Sequence, residues 1–105
     1  MQFIEFPYFT KWVLENLSDD EYREIQEELN KDPRKGHIIP QGHGLRKLRW
    51  NFKGKGKSGG VRIIYYLWIK HEELLMIYIY PKSEREDLTK EQLKLLSTFT
   101  REYLR

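Results

Sequence analysis

With 105 residues, 39% of them hydrophobic and many of those aromatic, the chain is sized for one hydrophobic core whose buried side chains each contribute a large apolar area. The absence of cysteine excludes disulfides and thiolate metal sites. No run approaches the roughly 20 apolar residues of a membrane span, and MQFIEFPYF lacks the plan of a secretory signal, so the expectation is a single cytoplasmic domain over residues 1–105.

The net charge of +3 hides a segregation. Residues 1–32 carry nine acids and three bases, residues 33–70 ten bases and no acid, and residues 71–105 seven acids and six bases. Such a block repels itself unless a polyanion or an acidic partner screens it. Its confinement to one ribbon, Leu45–Tyr66, points to a nucleic-acid-facing surface, with an ordinary solvated face as the plainer alternative.

In chain order, Gln2–Phe6 alternates as a short strand that stops at Pro7. Phe9, Trp12, Val13 and Leu17 then have the spacing of a helix with one apolar stripe. Ser18 and Glu21 form a capping box that opens a second helix, Asp19 to Asn30, with Tyr22, Ile25 and Leu29 inward and an acidic outer face. Asp32-Pro33 ends it, and the glycines and proline of Lys35–Gly44 predict a loop.

Leu45–Asn51, Val61–Ile69 and Leu74–Tyr80 read as three strands, the middle one strongest, arranged as an antiparallel meander. Thr89 and Gln92 cap a C-terminal helix with Leu93, Leu96, Phe99 and Tyr103 on its buried side. The order β-α-α-β-β-β-α predicts an α+β fold, a small antiparallel sheet covered by helices.

The residues offer few routes to chemistry. His37, His43 and His71 fall in loops and a turn, without the spacing of a metal or triad site, and read as surface histidines. The glycines at 54, 56, 59 and 60 precede a strand rather than a helix, which argues against a nucleotide-binding loop. The carboxylates lie on helices or in Glu84–Asp87, which the chain order puts away from the basic ribbon.

Basic residues remain, and they suit one reaction: RNA cleavage by the 2′-hydroxyl, where Arg and Lys stabilise the charge that develops on phosphorus. A Lys crowded by cations also exchanges a proton more readily near neutral pH. Alternation puts Lys47 and Arg49 on one face of their strand and Arg46, Leu48 and Trp50 on the other. In the next strand the apolar set from Val61 to Ile69 should lie under the helices, leaving Arg62 on the open face within reach of Arg49.

Lys82, just after the last strand, could close this cluster. Lys53, Lys55 and Lys57, separated by glycines, suit contact with a phosphate backbone rather than fixed geometry, and Arg46 joins them as an RNA contact. Trp50, Phe52 and Tyr66 could stack on bases.

Gly44–Arg49, Lys53–Gly60, Val61–Tyr66 (VRIIYY) and Ile79–Glu84 (IYPKSE) resemble the RelE/ParE toxin superfamily, and the glycine–lysine loop is most like its HigB branch. The resemblance covers nearly the whole chain. It implies a type II toxin that cuts mRNA in the ribosomal A site without a metal or other cofactor. It also implies neutralisation by a cognate antitoxin of the helix-turn-helix kind, with operator DNA reached only through that complex and no membrane partner. The family's basic residues match Lys47, Arg49 and Arg62, and approximately Lys82. Where RelE has a functional tyrosine, Leu88-Thr89 stand here, and Tyr80 or a lysine is the substitute. Two other functions fit the same charge: a ParE-like inhibitor of DNA gyrase, and an RNA- or ribosome-binding module without activity.

Overall fold

The computed structural model describes residues 1–52 and 60–105. The elements are β1 (Gln2–Glu5), α1 (Pro7–Asn16), α2 (Asp19–Lys31), β2 (His37–Ile38), β3 (Arg46–Trp50), β4 (Val61–Trp68), a 3-10 turn (Ile69–His71), β5 (Glu73–Pro81) and α3 (Lys90–Tyr103). This is an α+β fold whose element order follows the hydrophobic periodicity. No helix among the described residues is long and apolar enough to cross a membrane.

Local chemistry sets the helix starts. Pro7 occupies the first turn of α1, where its missing N–H is no loss. Ser18 and Glu21 complete a reciprocal capping box on α2, and Thr89 and Gln92 another on α3. Each cap is worth about 1 kcal/mol.

The sheet order is β1-β5-β4-β3-β2. The meander β3–β4–β5 is antiparallel as the spacing predicts, but β1 runs parallel to β5, so the sheet is mixed. Consecutive-strand reasoning does not reach this pair, because all the other strands and two helices intervene between its members. Within the predicted loop Lys35–Gly44, His37 and Ile38 pair with Lys47 and Arg46 as a two-residue edge strand too short to leave a periodic signal.

Helices cover both faces of the sheet. On one, Phe9 and Val13 of α1 and Ile25 and Leu29 of α2 pack on Leu48, Ile63, Tyr65 and Met76. On the other, Leu88 and α3's Leu93 and Leu96 pack on Leu45, Ile64, Leu75 and Ile77. Double coverage explains why β4 is apolar on both sides. A bulge in β5 opposite Ile64 and Tyr65 turns both Ile77 and Tyr78 towards the α3 side.

Two expectations are corrected here. Arg62 does not point to an open face: α3's face is roofed, and Arg62 is 5% exposed. Phe99 and Tyr103 are not buried but 49% and 43% exposed, and α3 instead buries Ser97 and Thr100 at 2% each. Their hydroxyls donate to the carbonyls of Leu93 and Leu96, both at 2.8 Å, so these residues sit inward although they read as polar in the sequence.

Candidate functional site

The register aligns three strands into one row. Arg49 of β3 lies directly opposite Arg62 of β4, which lies directly opposite Tyr80 of β5. Lys47 stands two residues from Arg49 and so shares its face. Directly opposed like charges repel, and the structure answers with acids. Glu86 places Oε2 3.2 Å from Arg62 Nη2 and Oε1 3.6 Å from Arg49 Nε, while Asp87 pairs with Lys47.

This overturns the expectation that the Glu84–Asp87 connection stays away from the basic ribbon. After Pro81 the chain turns back, with Glu84 N–H donating to the Pro81 carbonyl, and Leu88 enters the α3-side cluster. The Tyr80 hydroxyl donates to the Glu86 carbonyl at 3.2 Å, which ties the connection over the row.

The members differ in burial. The side chains of Arg62 and Lys47 are 6% and 12% exposed, those of Arg49 and Glu86 49% and 46%. A buried guanidinium therefore stands beside a half-exposed one, with a half-exposed carboxylate between them. The hydrogen bond from Lys47 and its charge hold the Asp87 carboxyl below its usual pKa. Burial pushes the Tyr80 phenol up to about 12, so at neutral pH it is a hydrogen-bond donor.

The other anticipated residues part company from this row. Arg46 donates to the carbonyls of Gly36 at 2.8 Å and Arg34 at 3.3 Å, so its guanidinium braces the segment that follows α2. Beside it the Tyr65 hydroxyl accepts from Gly36 N–H at 2.8 Å and donates to the Pro33 carbonyl at 2.7 Å. Lys82 follows β5, its N–H bonded to the Gly60 carbonyl and its side chain exposed; none of the described contacts joins its ammonium to the row.

Gly60 enters β4 at φ +67°, where a Cβ would stand 1.9 Å from the Trp50 carbonyl, so only glycine fits. Lys53, Lys55 and Lys57 lie outside the described residues. Of the aromatics, Phe52 is buried at 7% exposure in the α1–α2 core, whereas Trp50 and Tyr66 are half-buried. The three histidines are exposed, His71 stacking on Trp68. No group of three or more His, Asp or Glu side chains gathers as metal ligands among the described residues.

Sequence reasoning missed Glu86 and Asp87 as members of the site. The signal was present as complementarity: an acid-rich run, Glu84–Asp87, directly follows a sheet whose central ribbon has no acid.

Residues 4–105 match the family model described as the RelE toxin of the RelE/RelB toxin–antitoxin system. The match spans both sheet faces and every residue of the row. The chain therefore belongs to the RelE toxin family, and as a toxin it has an antitoxin for its partner.

Proposed function

We propose that the protein is a HigB-like, ribosome-dependent mRNA endonuclease that cuts mRNA in the A site and so inhibits translation in the cytoplasm. The observation that carries this reading is the carboxylate of Glu86 held between Arg49 and Arg62. A carboxylate in such a fork occupies the place that two oxygens of a phosphodiester would take.

In the reaction, a backbone phosphate displaces Glu86 and takes donors from Arg62 and Arg49, which then meet the charge that develops on phosphorus. The O2′–P bond forms and the P–O5′ bond breaks, leaving a 2′,3′-cyclic phosphate and a 5′-hydroxyl. Glu86, pushed aside but still adjacent, takes the 2′ proton. Lys47, released from Asp87, supplies a proton to the leaving 5′ oxygen. Tyr80 stays a neutral donor in the row, and no step calls for a metal or other cofactor.

Lys82 and the Lys53, Lys55 and Lys57 segment serve in docking on RNA. The antitoxin is of the helix-turn-helix kind, and operator DNA is reached only through its complex. Induction of the protein followed by primer extension on cellular mRNA gives new 5′ ends within codons. Growth arrest without such ends would reject the nuclease reading and favour a gyrase target.

A further inference from the structure

A second group of cations stands on the same side of the sheet, without the acids that neutralise the first. Lys90, Lys94 and Arg101 of α3 line a pocket of about 220 Å³ together with Gln41, His43 and Ser97. Lys90 and Lys94 are one helical turn apart, and like charges at that spacing cost a few tenths of a kcal/mol. Among the described residues, none of these three cations has a carboxylate partner.

The facing wall is held in place. Ser97 Oγ donates to the Gly42 carbonyl at 3.2 Å, and Gly42 N–H and Leu45 N–H close tight turns on Ile39 and Gly42. Within this turn Gln41 and His43 both take left-handed backbone, at φ 62° and 54°. Non-glycine residues pay for that conformation, and it persists where the surroundings over-determine it. The result is an exposed His43 on a constrained turn, lining the pocket with three cations that have no carboxylate partner among the described residues.

Continuity with the row comes from Leu93. It lines this pocket and also the neighbouring one formed with Ile39, Lys47, Asp87 and Leu88. A chain of phosphates leaving Lys47 would thus meet α3 next.

We propose that the pocket between α3 and the Gln41–His43 turn is a second RNA-phosphate site. Lys90, Lys94, Arg101 and His43 hold a phosphodiester at a distance from the one that is cut. The proposal rests on the RNA reading of the Arg49–Arg62 row. The RNA is either the strand being cleaved or the structured RNA of the ribosome, and the test separates them.

The test uses the full chain with Arg62→Ala to prevent cleavage, with and without the added pair Lys94→Ala/Arg101→Ala. Binding to a twelve-nucleotide single-stranded RNA and to ribosomes is measured as a function of salt. Loss of two phosphate contacts lowers the slope of log K against log salt by about 1.4 on a single strand. A drop on the oligonucleotide assigns the site to the cleaved strand, and a drop on ribosomes alone to ribosomal RNA.

Unchanged slopes on both overturn the proposal. So does an equal drop from Lys11→Ala plus Lys70→Ala, two exposed cations outside both clusters, since that would report net charge alone. Thermal midpoints within a few degrees of the parent show that these exposed substitutions leave the fold intact. Arg49→Ala in the same assay keeps the two readings apart. If it leaves the slope unchanged while the α3 pair lowers it, the row fails as a phosphate site and the second site stands.

Discussion

The two faces of the sheet place arginines from one strand in opposite roles. On the α1–α2 side, Arg46 gives its guanidinium to two main-chain carbonyls and lies beside a core in which Ile63 and Tyr65 are fully buried. On the α3 side, three residues further on, Arg49 keeps half its surface open and shares a carboxylate with Arg62. On the first face Arg46 is satisfied by backbone carbonyls. On the second, Arg49, Arg62 and Lys47 meet half-exposed or exposed carboxylates of the Glu84–Asp87 connection. Residue type does not separate the two settings here; the kind of partner and its exposure do.

Neighbouring substitutions in β4 test that contrast most severely. Ile63→Ala should cost about 2–5 kcal/mol of stability, read by denaturant unfolding, because it empties a fully buried position. Cleavage per folded molecule should not change. Arg62→Ala should do the opposite where activity is counted per folded molecule, lowering the cleavage rate about 10²–10³-fold. A variant that cuts RNA at the parental rate without Arg62 would remove the row from the reaction.

Glu86→Gln sharpens the role of the displaceable acid. Its amide keeps the shape but gives up the charge that competes with phosphate. RNA binding should therefore tighten while turnover falls about 10²-fold, the low end for loss of a general base. Faster turnover would mean that Glu86 only obstructs the site.

The smallest expected effect concerns Asp87, whose folded-state pKa is lowered by Lys47. A lowered carboxylate pKa adds stability above the unfolded value, near 4, and that stability is lost as pH falls through the folded value. The Asp87 side chain is 71% exposed, so the contribution is at most about 1 kcal/mol at neutral pH. The gap between the parent and Asp87→Asn, followed by thermal unfolding, should close as the solution is acidified below pH 4. A gap that widened with acid would contradict the pairing.

Much of this was legible in one dimension because it depends on near neighbours. Both capping boxes are read from residues three apart, and β4 begins at Val61 as its β-branched and aromatic run indicates. The Arg49–Arg62 juxtaposition also follows from strand alternation across a hairpin. What escaped depends on the chain returning from a distance. Nothing local says that Glu86 and Asp87 fold back over the ribbon, or that Arg62 ends up buried beside Glu86. α3 misled for a different reason: Ser97 and Thr100 bond their own helix's carbonyls and go inward, leaving Phe99 and Tyr103 at the rim.

The parallel pairing of β1 has a consequence for the order of assembly. Gln2, on the first strand, finds its partner only at Glu73, and the Arg49–Arg62–Tyr80 row closes only when Tyr80 has joined it. Long-range pairings of this kind form late and slowly. A growing chain thus exposes its basic ribbon before it owns the strand and the two acids that organise it. The interval between emergence of Arg62 and emergence of Asp87 is one in which the protein carries the charge of its finished form without the geometry.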